Sequence, residues 1–262
     1  MKNTLFLTNI LTLFSISNSI AQTKNDYGTV EYKQVIVNDT VINDVIETKG
    51  VLYFNAVQKK SVYHWDRKNK NYKREIQKTE DGSVKVVRPN GNSGTDSVGR
   101  VVYSEYNNNV LKIRDRSQQW YIISDTISIQ WIIANETKIL NNMNLQKATG
   151  YFRGRLYTAW FNPNIPIPDG PWKLKGLPGL IMEAYDEKKH VRFDFVALTL
   201  PVNFEEKIQV PTDGTPINFS VYHEKHLNSM GDAMKRAEAK LKQSGITLQG
   251  GTLRTNTIER SN

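Results

Sequence analysis

The chain has 262 residues, a formal net charge of +9 and no cysteine. Without cysteine there is no disulfide framework, so a buried apolar core must supply the stability, and the length suffices for one large domain or two small ones. The basic balance is not accompanied by an RNP-like, zinc-finger or helix-turn-helix pattern, so nucleic acid is not the expected partner.

Residues 1–21 open with Lys2, run through the apolar LFLTNILTLFSI and end at Ser19 and Ala21. A charged start, a short apolar core and small residues at the minus-three and minus-one positions make a signal peptide, with the mature chain beginning at Gln22. Export to the periplasm or beyond is therefore expected. Because position 22 is Gln, the protein is not expected to be a lipoprotein. No window after the signal approaches a membrane helix.

From Tyr27 onward, short alternating runs are separated by polar turns. GTVEYKQVIV, VLYFNAV, KSVYHW, SVKVV, GRVVYSEY, NVLKIRD and QQWYIIS all have strand length. Asp81-Gly82 and Asn90-Gly91 are hairpin signals that favour an antiparallel meander. Residues 88–99, RPNGNSGTDSVG, read as a long loop. In TISIQWII the apolar Ile127, Ile129, Trp131 and Ile133 fall on one face, predicting one strand with one buried side. In GRLYTAWF, Leu156 and Trp160 share one face while Tyr157, Ala159 and Phe161 share the other, predicting a central strand covered twice.

Pro163, Pro166, Pro168, Pro171 and Pro178 lie within sixteen residues. They exclude helix and central strand and predict a rigid surface loop. Leu177-Pro178-Gly179-Leu180 fits a type II turn with Gly179 at positive φ. LIMEAY, the charged turn DEKK and HVRFDFVAL then make a hairpin. Leu227, Met230, Met234, Ala237 and Leu241 follow three-four spacing, an amphipathic helix closed by Gly245 and expected to pack on the sheet. The fold class is thus mainly β: one domain over 22–250, a large curved antiparallel meander curling toward a half-barrel, one C-terminal helix and a loose tail at 251–262.

The run KATGYFRGRLYTAWFNPNIPIPDGPWKLKGLPGLIMEAYD resembles the signature of the GLPGLI family, exported proteins of Bacteroidetes-type bacteria with no settled biochemical role. Its hexapeptide is Gly176, Leu177, Pro178, Gly179, Leu180 and Ile181. Many relatives carry a cysteine just before the QKA-type word, where this chain has Leu145. Any role for that thiol therefore does not transfer.

Chemistry-bearing patterns are sparse. His223 and His226 stand three apart in HEKH, one residue short of the zinc-protease spacing, and no third ligand is evident, so no metal and no cofactor are expected. There is no GxSxG serine, P-loop or GxGxxG. The most site-like cluster is Lys147, Arg153, Arg155, Trp160 and Trp172. At period two, Arg153 and Arg155 would share one side of a strand, where paired guanidinium groups beside tryptophans bind an acidic group. The alternative is that the tryptophans are core and the arginine stems cover them. No catalytic residue is assigned. The leading functional expectation is a non-catalytic exported protein that binds an apolar or amphipathic ligand, in a continuous apolar groove, or an envelope partner. Two readings stand beside it: a periplasmic hydrolase using His223, His226, Glu224 or acids near Asp186, and a structural accessory of an outer-membrane assembly.

Overall fold

The computed structural model describes residues 27–39, 44–65, 75–78, 84–87, 96, 98–202, 208–243 and 259. The expected signal segment, both Asx-Gly dipeptides, most of the 88–99 loop and the tail other than Glu259 lie outside the described residues. The strands in chain order are β1 (Tyr27–Asp39), β2 (Asp44–Asn55), β3 (Lys60–Trp65), β4 (Glu75–Lys78), β5 (Val84–Val87), β6 (Val101–Glu105), β7 (Val110–Arg116) and β8 (Trp120–Thr126). There follow β9 (Trp131–Leu140), β10 (Met143–Phe152), β11 (Arg155–Asn162), β12 (Leu180–Asp186), β13 (Val191–Thr199), β14 (Thr215–Asn218) and one helix, α1 (Phe219–Gln243).

Twelve strands form one sheet in the order β14-β8-β7-β6-β3-β2-β1-β13-β12-β11-β10-β9, and β4 and β5 form a separate hairpin. The chain lays down one meander outward from β1 to β8, restarts at the opposite edge with β9, and works back to β1. Every pairing in the large sheet is antiparallel except β14 on β8, which is parallel. One parallel edge is thus added to the antiparallel meander expected from the sequence.

The connection from β8 to β9 shows why the sheet curls. The two strands are ten positions apart, about 48 Å if the sheet were flat. Residues 127–130 join them, and five Cα steps span at most about 18 Å. The edges must therefore swing toward one another, leaving an interior. It is lined by Val30, Tyr32, Leu52, Phe54 and Ile113 of the first meander and by Tyr157, Phe161, Met182, Ala184 and Phe193 of the second, all in one buried cluster.

That interior is filled by the proline-rich segment, residues 163–179, which we call the plug. It is not the surface loop expected from its prolines. Ile167, Trp172, Leu174 and Leu177 are buried in the same cluster as the sheet. A buried loop is tolerated only if its polar groups are paired, and here they are. Ile165 O accepts from Leu180 N (3.0 Å), Asp169 O from Ile181 N (3.0 Å), and Pro168 O from Gly176 N (3.0 Å). Lys175 Nζ donates to Ser104 Oγ (2.7 Å), Glu105 O (2.9 Å) and Asn108 O (3.0 Å). The Asp169 carboxylate accepts from Ser61 (2.6 Å). Burial pushes the Asp169 carboxyl up and the Lys175 ammonium down, each partly offset by the other's charge.

Other expectations change in detail. Gly179 is not among the positive-φ residues, and that conformation belongs to Gly176 (φ 95°), so there is no type II turn at 177–180. Gly179 is required because the plug's exit runs against its entry: a Cβ there would lie 2.3 Å from Asn162 O. β11 is covered on one face only, since Leu156 is 45 % exposed while Tyr157, Ala159 and Phe161 are buried. The TISIQWII strand starts only at Trp131, and Ile132 and Ile133 are exposed. The helix packs on β8 and β14, but through Phe219 and Tyr222 at its start, whereas Leu227 is 38 % exposed.

Candidate functional site

The five residues singled out from the sequence do not meet. Phe152 pairs with Arg155 across a two-residue turn whose central residues, Arg153 (φ 48°) and Gly154 (φ 70°), both have positive φ, as a type I′ hairpin requires. Arg153 is therefore a turn residue and Arg155 a strand residue, and their guanidinium groups diverge. Arg155 is buried and bonded to Asp186 (2.5 Å), whose other oxygen accepts from Val191 N (2.9 Å). This pair locks β11, β12 and β13 together inside the protein. Lys147 and Trp160 are cross-strand neighbours. Lys147 is held by Glu136 (2.8 Å), and Lys138 Nζ lies 4.6 Å from the Trp160 ring centre. Only Arg153 and Trp172 reach a common region. In the hexapeptide Leu177, Gly179, Leu180 and Ile181 are buried, while Gly176 and Pro178 are exposed.

Trp172 marks the place where a site does form. It has φ 57°, a conformation rare for a bulky side chain, in a turn closed by Leu174 N donating to Pro171 O (3.1 Å). Such strain costs about 1–3 kcal/mol. It is outweighed by burial of Ile167, Leu174 and Leu177, at about 1.5–3 kcal/mol each. The turn holds the indole between Phe152 (5.6 Å) and Phe193 (6.3 Å, stacked).

On the far side of Trp172 and Lys173 lies a partly open cavity of about 180 Å³, lined on one side by α1. Trp65, Ile113, Ile123 and Phe219 give it apolar walls, and Gln34, Arg100, Asp115, Lys173, His223 and Glu259 give it polar ones. On α1, ring stacks at i,i+4 join Phe219 to His223 (5.4 Å) and Tyr222 to His226 (5.7 Å), and all four line the cavity. His226 Nδ1 is buried without a hydrogen-bond partner. Burial pushes the His226 imidazole below its ordinary range, against the pull of Asp115, so it is neutral at pH 7.

Behind Lys173, outside the cavity lining, a charged network holds its ammonium in place. Asp125, 2 % exposed, takes Arg153 on one oxygen and Lys173 (2.8 Å) on the other. Lys173 also bonds Glu259. Arg153 and Lys173 both sit over the Phe219 ring, 3.8 and 4.5 Å from its centre. Arg100 pairs with Asp115 (2.6 Å) at the cavity wall. Among the described residues no group of three or more His, Asp or Glu is placed to hold a metal ion.

Sequence reasoning missed Lys173, Asp125, Asp115, Arg100 and Glu259. Lys173 and Lys175 look alike in WKLKG, yet one enters the cavity and the other is spent on backbone carbonyls. Their partners are up to 86 residues away, so no local spacing could reveal them.

Residues 152–183 match a family model described as a protein of unknown function (Porph_ging). The match runs from the type I′ turn through the plug into β12, and so contains Arg153, Trp172 and Lys173 but not the helix side of the cavity. No curated protein matches the chain. Among solved structures, PNGF-II in its P21 and C2 crystal forms aligns with a TM-score of 0.51 and 11% identity, over 78% of this chain. The alignment covers 34% and 33% of those chains, so this chain spans about a third of PNGF-II's length. At that identity the likeness is one of fold alone. No helix among the described residues is long and apolar enough to cross a membrane.

Proposed function

We propose that this is an exported, non-catalytic protein that binds a small amphipathic ligand in the cavity between the plug and α1. The observation that supports it is the pairing of ring walls with the buried, ion-paired Lys173 in one partly open cavity of about 180 Å³. That combination, an apolar lining with a few placed polar groups, is what ligand sites share. The volume narrows the ligand. Drug-sized ligands occupy about 300–1,000 Å³, whereas a cavity of about 150 Å³ holds benzene. The continuous apolar groove expected from the sequence for an apolar or amphipathic ligand is not found among the described residues, because the plug's side chains fill the interior, and the reading is narrowed to the smaller cavity. Native mass spectrometry of protein purified without denaturation, together with a thermal-shift screen of small amphipathic molecules, tests the reading. Absence of any bound species and of any shift across such a screen would sink it. N-terminal sequencing of the mature protein tests export, with Gln22 as the expected first residue.

One observation favours a hydrolase as the second reading. His226 is neutral, faces the same cavity as Asp115, and has a buried nitrogen without a partner, as a general base needs. Glu224, by contrast, is exposed on α1, and Asp186 is committed to Arg155. Turnover of ester or amide libraries that His226→Gln abolishes would replace the binding reading with this one.

A further inference from the structure

Gln34 on β1 is 2 % exposed, and two neighbours on β3 fix how its amide lies. Its Oε1 accepts from Trp65 Nε1 (2.9 Å) and, over a longer distance, from the Tyr63 hydroxyl (3.4 Å). An indole N–H only donates, so the oxygen must face it, and the amide cannot turn over without setting donor against donor. Gly50 of β2 makes room for this arrangement, since a Cβ there would fall 1.7 Å from the Tyr63 hydroxyl oxygen. Both hydrogen bonds of the Gln34 side chain thus go to its oxygen. Its Nε2 has no acceptor among the described residues, yet it is not sealed away as His226 Nδ1 is, so it opens to the cavity that Gln34 lines. The acceptor for that nitrogen must come from a molecule inside the cavity.

We propose that Gln34 is the recognition residue of this cavity, donating from Nε2 to the carbonyl oxygen of an uncharged ligand about the size of one ring. The inference rests on the reading of the cavity as a ligand site and gives that site its chemistry. Recognition stands on β1 and β3, and needs no contribution from the helix. Three features select the ligand. The open group on the sheet wall is a donor, which calls for an oxygen acceptor. The nearby cations are already matched, Arg100 by Asp115 (2.6 Å) and Lys173 by Asp125 (2.8 Å), and an acid would add a negative charge to a cavity that Asp115 already lines. The acceptor is therefore a neutral carbonyl rather than a carboxylate. Trp65, Ile113 and Ile123 give apolar walls to the rest of the molecule, and about 180 Å³ admits one ring. Ketones, lactones and simple amides meet all three conditions. Water takes the same place on Nε2, but a carbonyl compound also removes apolar surface from water, so it displaces that water.

The test is titration of the full mature protein, followed by NMR, with acetophenone, with α-methylstyrene, which carries a methylene in place of the carbonyl oxygen, and with benzoate. One hydrogen bond separates the first two, so acetophenone should bind roughly two- to tenfold more tightly, and benzoate more weakly than acetophenone. Gln34→Met keeps the length of the side chain and removes the donor, so it should bind both neutral rings equally. A packing role alone would weaken both rings alike and leave the preference in place, which overturns the assignment while the cavity remains a ligand site. Equal binding of the two rings to the wild type, or tighter binding of benzoate, overturns it as well. If neither ring binds but other molecules of the thermal-shift screen do, the carbonyl class falls alone; if nothing binds, the site reading falls with it. Gln34→Met also leaves Trp65 Nε1 without its acceptor. Should that variant fail to fold, the side-chain amide signals of Gln34 in the wild type decide the matter. Displacement by acetophenone and not by α-methylstyrene supports the proposal, and equal displacement or none overturns it.

Discussion

Replacing Gly179 with alanine adds a methyl group where two stretches of backbone already touch. The new Cβ would lie 2.3 Å from Asn162 O and 2.9 Å from Pro163 Cα. Ordinary contacts between such atoms sit at about 3.5 Å or more, so the plug's exit must move from its entry by about 1 Å. Neither side yields cheaply. Leu180 N is bonded to Ile165 O (3.0 Å), and the buried Tyr32 hydroxyl donates to Ile181 O (2.6 Å). Overpacking costs about 1–3 kcal/mol, and a backbone obstacle puts this site near the top of that range. For a domain of this size that is a fall in Tm of roughly 6–12 °C. Gly176 is the control: its φ is 95° and a Cβ there meets nothing closer than 3.9 Å, so alanine pays only for conformation, about 1–2 kcal/mol. Asparagine, which tolerates positive φ, should recover part of the loss at 176 and none at 179. Circular-dichroism melts of the four variants give the answer. A Gly179→Ala protein that melts like wild type, or a Gly179→Asn protein more stable than Gly179→Ala, would refute the close-approach account.

Three further outcomes are expected. Arg155→Met leaves the buried Asp186 carboxylate without its guanidinium and should cost about 3–5 kcal/mol in urea denaturation, so a near-neutral effect would show the pair to be dispensable. Hydrogen bonds from Arg114 hold the Asp96 carboxyl at about 2, below its ordinary value, so its contribution is present at neutral pH and is lost as pH falls from near 4 through about 2. Asp96→Asn should therefore be less stable than wild type at pH 7, the gap closing in acid, and a gap that stays constant in paired melts would contradict this. The buried His226 resists protonation that the unfolded chain accepts, so stability should drop as pH falls below about 6.5. His226→Gln should flatten that limb of the stability curve, and an unchanged slope would assign it to another group.

Strand content was legible because most strands of the first meander alternate and lie in the core. KSVYHW reads as a strand and is β3 to the residue. β10 and most of β9 escaped notice: TISIQWII overlaps β9 only at residues 131–133, and the rest of that edge strand carries Asn135, Glu136 and Lys138 where a buried strand would be apolar. The usable signal was Asn141-Asn142, both at positive φ, a type I′ turn between Leu140 and Met143. The plug was misplaced for a different reason. Proline density reports what the backbone cannot do, and says nothing about which side of a sheet it lies on. Its burial depends on Lys175 finding Ser104 and two carbonyls about 70 residues away, information held in the tertiary structure alone. Trp172 lies in the core, and the half-buried Trp160 packs against it.

The two meanders join at a seam between β1 and β13, where Thr29 faces Thr199. Those residues are 170 positions apart, so the seam is the costliest closure in the molecule and belongs late on the folding route. Until it forms, β1 presents a bare ladder edge of thirteen residues, and β13, which covers it, follows the plug and β12 in the chain. A chain emerging in N-to-C order thus holds its first six sheet strands waiting for the last quarter of the polypeptide. Slow refolding and aggregation through that edge are the behaviour this arrangement implies, and they set a practical limit on truncating the protein from its C-terminal side.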